Sequence, residues 1–343
     1  MSKVTRTTKR KSDHIRINLE QNVRSGIKTG LDDLHFEHNA VPELDLTDID
    51  LKTEFLGKHL QAPLLISSMT GGTDKAKRIN IALAIAAQEK GIALGLGSQR
   101  AAIENPEVEG TFNIRAEAPD IPIYANLGAV QLNYGYGIDE CQRAVDMLSA
   151  DALIFHFNAL QEAIQPEGDT NFKGLLSKIE QICSGLSVPV IAKEVGWGIS
   201  ATAAKQLVES GVSAIDVAGA GGTSWSEVEM HRTQDPRIAE LASSFIDWGI
   251  PTAEAVRQVR AELAATPIIA SGGIRSGIDV AKCIALGATL GGMAGPFLKA
   301  AVESADAVCA TIDLITSQLR VCMFAAGCSS LISLSDNRLH PSQ

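Results

Sequence analysis

The sequence predicts an α/β protein, a (β/α)8 TIM barrel with an N-terminal extension, and three observations predict it. From about residue 62 onward, short apolar or β-branched runs, glycine-rich or polar breaks and longer stretches of helical period alternate. Eight such units fill about 240 residues, close to the roughly 250 typical of this barrel. The runs are apolar along their whole length, as strands buried on both faces in a parallel sheet must be.

The first strand reads APLLISSM (62–69), and the helix DKAKRINIALAIAAQEK after it stops at Gly91, where a left-handed C-cap is expected. ALGLGS (93–98), IPIYANLG (121–128), ALIFHFN (152–158) and PVIAKEVG (189–196) supply strands two to five. The helix ISATAAKQLVES then ends before Gly211. AIDVAGAGG (214–222), PIIASGGI (267–274) and TLGGMAGPF (289–297) complete the set. A doubly wound open sheet is the alternative, but SMTGGTDK after the first strand lacks the G-x-G-x-x-G spacing. Residues 1–61 form an extension of weak periodicity, 62–343 form the barrel, and 223–251 are a long insertion after the sixth strand. Long loops on the carboxyl side of a barrel usually serve its active site.

Composition excludes several classes. At 343 residues and 45% hydrophobic the chain has material for a large core. A net charge of -10 argues against a nucleic-acid surface, which needs clustered cations. The basic cluster is terminal, at Lys3, Arg6, Lys9, Arg10 and Lys11. No membrane span and no secretory signal is read from the chain, so the expected compartment is the cytoplasm. The six cysteines show no C-x-x-C pair and are read as reduced, mostly buried fillers.

Catalytic groups of a barrel sit at the carboxyl ends of its strands, which here read SSMTGG, GSQR, ANLGA, HFNALQE, KE, GAGGTSW, SGGIR and GGMAGP. The glycine-rich turns after strands seven and eight lie where barrels bind phosphate; the bland reading is that they only permit tight turns. Lys193, deep in an apolar run, needs a negative partner, either a ligand or a core carboxylate. Thr70, Ser98, Asn126 and Thr223 offer uncharged hydrogen-bonding groups around the same end, although each is also an ordinary helix N-cap type. Together these features describe a mononucleotide across the barrel mouth, and flavin mononucleotide (FMN) fits best. Arg100 suits bidentate phosphate binding, and Arg10 and Lys11 join it if the extension folds over the mouth rather than remaining a solvated tail.

RKSDHI (10–15), SMTGG, GSQR, ANLGA, HFNALQE, AKEVGWG, GAGGTSW, ASGGIR and MAGPFL, spread over nearly the whole chain, resemble the type 2 isopentenyl-diphosphate delta-isomerases, flavoenzymes with a barrel fold. The first motif and H-x-N-x-x-Q-E are particular to that family, whereas the glycine-rich grips are shared with other flavin barrels. The resemblance implies interconversion of isopentenyl diphosphate and dimethylallyl diphosphate with reduced FMN, Mg2+ and NADPH, the last only to reduce the flavin. It implies FMN contacts from Ser68, Met69, Thr70, Gly71, Ser98, Asn126, Lys193, Thr223, Gly272, Gly273, Arg275, Ala294 and Gly295. Substrate contacts would come from the extension's Arg10 and Lys11 with Ser98, Arg100, His156, Asn158 and Gln161, and Glu162 would bind the magnesium. Gln161, Trp225 and Glu229 are candidates for proton handling, and a homo-oligomer, tetramer or octamer, is implied. The competing readings are an FMN-dependent 2-hydroxy-acid oxidase, which requires a histidine base near the sixth strand, and a non-catalytic flavin-binding sensor.

Overall fold

A computed structural model of the chain describes residues 6–334 and 338–341; Lys3 of the terminal basic cluster lies outside them. Its centre is a closed barrel of eight parallel strands. Three short strands precede it: β1 (Leu34–Phe36), β2 (Thr53–Phe55) and β3 (Lys58–Leu60). The barrel strands are β4 (Leu64–Ile66), β5 (Ala93–Gly95), β6 (Ile123–Gly128), β7 (Ala152–Phe157), β8 (Val190–Glu194), β9 (Ala214–Asp216), β10 (Ile268–Ser271) and β11 (Leu290–Met293). A last strand, β12 (Leu339–Pro341), pairs antiparallel with β1 and ties the two ends of the chain together.

All eight predicted barrel strands are present, most of them shorter than their apolar runs. The sixth run is regular only to Asp216, because Gly219 closes against the backbone of Thr252 and Gly221 takes a positive φ of 120°. The eighth ends at Met293, and a helix starts at Gly295 inside the predicted strand. The helix before Gly91 spans Asp74–Lys90 as predicted; Thr73 caps its start and Gly91, at φ 63°, takes the left-handed C-cap. The insertion is not a bare loop: it carries helices Trp225–Arg232 and Pro236–Ser243, capped by Ser224 and Asp235.

The extension is built into the molecule. The β2–β3 hairpin brings Phe55 and Leu60, each about 1% exposed, against the inner side chains of the barrel strands, with the Phe55 ring 6.1 Å from that of Tyr124. The hairpin thus closes the amino-terminal end of the barrel. At the other end, helix Arg6–Glu20 buries Ile17 with Val23 and Val228, and Ser25 and Ser224 exchange backbone bonds with Gly222 and Val23. Four of the six cysteines are buried. Helix Ala305–Ala325 is long and apolar enough to cross a membrane by length and composition, but it packs against helices Asp74–Lys90, Gly277–Ala285 and Gly295–Glu303 and buries Ile312, Ile315 and Leu319 there.

Because Phe55 fills the end of a closed barrel whose walls have little freedom to collapse, Phe55→Ala is expected to cost roughly 3–5 kcal/mol. Urea unfolding followed by circular dichroism checks this: the midpoint falls with the slope unchanged, and an unmoved midpoint rejects the plugging role.

Candidate active site at the barrel mouth

Side chains alternate along a strand, so the inner face of the barrel is fixed by period two. Leu65, Ala93, Tyr124, Ile154, Ile191, Ala214, Ile269 and Leu290 form an apolar floor with Phe55 and Leu60. Two residues further on, the same face carries Ser67, Gly95, Asn126, His156, Lys193, Asp216, Ser271 and Gly292. The change from apolar to polar falls where the strands reach the mouth.

Above this layer, one cavity is lined by Ser68, Met69, Ser98, Arg100, Asn126, His156, Asn158, Gln161, Glu162 and Lys193 from five consecutive strand ends, and by Trp225 from the insertion. Arg10, Lys11 and His14, from successive turns of helix Arg6–Glu20, complete it. The arm is held by polar contacts: Lys11 Nζ donates to the Ser98 carbonyl at 2.6 Å, and Arg10 Nη1 donates to Gln165 Oε1 at 3.2 Å. A larger groove of about 650 Å³ lies beside the barrel around Phe157, Leu160, Trp197 and Trp248; it is mostly apolar and holds none of the predicted site residues.

Four cationic side chains, Arg10, Lys11, Arg100 and Lys193, converge on this mouth. Burial, with Arg10 and Arg100 nearby, lowers Lys11 to about 7 against the opposing pull of Glu104. Burial and the four cations, Lys193 foremost, hold His156 down to about 3, so its imidazole is neutral. Its Nδ1 lies 2.8 Å from Asn126 Oδ1, an acceptor, which places the proton on Nδ1 and leaves Nε2 bare. Arg100 is held by Glu104 at 2.6 Å and Asp169 at 2.7 Å.

Beyond β7, short helix Ala159–Ile164 buries Gln161 and Glu162 on the cavity side. Glu162 accepts from Asn158 Nδ2 at 2.8 Å and from the Asp169 N–H at 2.7 Å, and Asn158 Oδ1 beside it has no hydrogen-bond partner. Gln161 Nε2 donates to Glu229 Oε1 at 2.9 Å. Glu229 also meets His14 Nε2 at 3.1 Å and Arg232 Nε at 2.6 Å. Burial alone would raise the Glu229 carboxyl, but the His14 hydrogen bond, the His14 and Arg232 charges and the Gln161 donor outweigh it and hold it at about 2. Trp225 stacks edge-on to His14 at 5.0 Å and donates Nε1–H to the Val195 carbonyl.

The remaining predicted residues lie elsewhere around the rim. Thr70 is buried with an orphaned hydroxyl, like Ser68, and Gly71 has no room for a side chain because Phe112 covers it. Thr223 hydrogen-bonds Asn18 of the arm at 3.4 Å. Gly272 and Gly273, at φ 101° and 71°, press against the carbonyls of Gly219 and Gly221, and Thr252 Oγ1 donates to the Gly272 carbonyl at 2.6 Å. Helix Gly295–Glu303 starts after Ala294 with no side-chain cap, and a Cβ on Gly295 would meet open space. Arg275 turns outward to Asp32 at 3.3 Å. Sequence reasoning missed His14, Gln131 and Gln165 at the cavity and Arg232 and Thr252 behind it; only His14 carried a signal, four residues after Arg10 on one helical face.

A family model for FMN-dependent dehydrogenases matches residues 151–341. A solved mandelate oxidase variant with benzaldehyde superimposes with a TM-score of 0.68 at 21% identity, covering 97% of this chain and 93% of that one. A lactate oxidase from Pediococcus acidilactici gives 0.66 at 17% identity, covering 96% and 87%. The solved structures share the barrel fold, and the chain falls in the FMN-dependent dehydrogenase class. Proteins named isopentenyl-diphosphate delta-isomerase are far more similar in sequence. Those of Nostoc sp. and Synechocystis sp. are 55% and 56% identical over 96% of this chain and 94% of theirs, and that of Rickettsia bellii is 52% identical over 96% and 97%. The chain belongs to the isopentenyl-diphosphate delta-isomerase family.

The depressed Glu229 carboxyl contributes stability that is present above its ordinary value of 4.5 and is lost as pH falls toward about 2. Glu229→Gln is therefore expected to lose roughly 3 kcal/mol at neutral pH, a deficit that shrinks as pH falls through that window. Urea unfolding at a series of pH values measures it; a deficit independent of pH would show that the charge on Glu229 does not hold the arm.

Proposed function

We propose that the protein interconverts isopentenyl diphosphate and dimethylallyl diphosphate with reduced FMN and Mg2+, NADPH serving only to reduce the flavin. The observation that carries this reading is the joining of Arg10, Lys11, Arg100 and His156 with Glu162 in one cavity, beside Ser68 and Lys193. A diphosphate needs such a cation cluster, and Mg2+ commonly takes one or two protein carboxylates and completes its shell with water and phosphate oxygens. Glu162 fits that role: each oxygen accepts one hydrogen bond and keeps a further lone pair, and the orphaned Asn158 Oδ1 can accept from a metal-bound water.

The mouth also fits FMN. The orphaned hydroxyls of Ser68 and Thr70, the Asn126 amide and the Lys193 ammonium suit the edges of a flavin ring, and the uncapped helix at Gly295 beside the Gly272–Gly273 turn suits its phosphate. When bound, reduced FMN supplies an electron-rich ring that favours cationic character in a neighbouring alkene and a site for proton exchange at its edge. The chain's residues bind and orient. Arg10, Lys11 and Arg100 fix the diphosphate, Gln161 is aimed by its bond to Glu229, and Trp225 and the arm exclude water. Among the candidates for proton handling, Gln161 and Trp225 line the cavity, while Glu229 lies behind Gln161.

The histidine that a 2-hydroxy-acid oxidase would need after the sixth strand is His231, which is exposed and does not line this cavity. Self-association as a tetramer or octamer is supported by exposed Ile85, Val302, Leu314 and Val321 on three mutually packed outer helices.

Purified protein given FMN, NADPH and Mg2+ without oxygen is expected to convert isopentenyl diphosphate to its allylic isomer, and Glu162→Gln to lose at least tenfold in activity and to need more Mg2+. Bleaching by a 2-hydroxy acid with no allylic product would reject the reading. Because Lys11 sits at about 7 without ligand, diphosphate binding should take up a proton above that pH. Affinity for inorganic pyrophosphate then falls by up to tenfold per pH unit, and Lys11→Met flattens this slope while weakening binding at neutral pH. Calorimetry in buffers of different ionisation enthalpy reads the proton directly.

A further inference from the structure

Lys193 is flanked in strict register by His156 on β7 and by Asp216 on β9, so the three side chains stand in one row on the inner face. Asp216 has no exposed surface, and the mechanism above assigns it nothing. Its Oδ1 accepts from Ser271 Oγ at 2.6 Å and from the Ala218 N–H at 3.3 Å, and its Oδ2 has no hydrogen-bond partner. Either protonation state leaves Oδ2 without a hydrogen-bond partner among the described residues, so what favours the carboxylate is the positive charge of Lys193, its register partner on the neighbouring strand. The other titratable groups beside Lys193 are engaged differently. His156 is neutral, and Glu194, next on the same strand and pointing the other way, spends its carboxylate on the N–H groups of residues 195–198. Among the described residues, Lys193 donates to the Glu194 carbonyl alone, at 2.6 Å.

We propose that Asp216 is a positioning residue, the fixed counter-charge under the barrel mouth that keeps Lys193 an ammonium aimed at the bound flavin, and that Ser271 holds its carboxylate in place. Burial raises the Asp216 carboxyl overall, and Lys193 foremost, then Ser271 and Ala218, oppose that rise. This inference rests on the flavin reading for the ligand, but not for the pairing itself.

The test is Asp216→Asn in the FMN-loaded protein, with the Lys193 side chain followed by nitrogen NMR and assigned by Lys193→Met. The Lys193 titration is expected to move down by at least one pH unit, and FMN to dissociate about tenfold more readily. In the Lys193→Met background, Asp216→Asn should add nothing to the loss of FMN. Ser271→Ala, which removes one donor and no charge, should give a smaller shift in the same direction and serves if the amide variant fails to fold. A Lys193 titration that stays in place, or an equal loss of FMN in both backgrounds, overturns the counter-charge. A titration that falls while FMN affinity is unmoved upholds the pairing and removes the flavin from above it.

Discussion

Closing eight parallel strands into a barrel leaves an interior wide enough only for side chains, and this constraint orders the rest of the molecule. Polar groups are costly inside and nearly free at an open end. The chain obeys this by a change of residue type within each strand: Ile191 is followed two residues later by Lys193, Ala214 by Asp216 and Ile154 by His156. The amino-terminal end is sealed with Phe55 and Leu60 from the extension, so the carboxyl end alone presents chemistry.

Once the mouth is polar, its charge must be balanced. Burial, reinforced by repulsion among the cations drawn there, holds Lys11 and His156 low; Arg100 leans on Glu104 and Asp169, and Arg232 behind the site on Glu229 and Glu167, whereas Arg10 meets the Gln165 amide. Glu229 has a double role, since it fixes Gln161 from behind and receives His14 from the arm. The roof and the reacting side of the cavity are thereby joined through a single carboxylate. A ligand carrying several negative charges relieves the repulsion, so binding and the order of the arm draw on the same electrostatic source.

The eight strands, the terminal motif and the H-x-N-x-x-Q-E turn were legible because each is a local pattern: apolar runs of strand length, cations on one helical face, polar residues just past a strand end. Boundaries were less so. The sixth strand stops at Asp216 because of close backbone approaches at Gly219 and Gly221 that period and propensity do not register, and the eighth yields to a helix at Gly295 with Pro296 in its first turn. Arg275, an FMN contact by resemblance, has its guanidinium at Asp32 of the extension, a contact 243 positions apart that no local pattern registers.

By itself the sequence determined the barrel, its strand count, the residues at the strand ends and the family, because these depend on order along the chain. Only the tertiary structure decided that the extension both plugs one end and roofs the other, that His14 reaches Glu229, and that Asp216 stands beside Lys193. Those contacts join residues up to 215 positions apart, and what selects them is the register of neighbouring strands and the cost of an unbalanced buried charge, neither of which is written in any one segment.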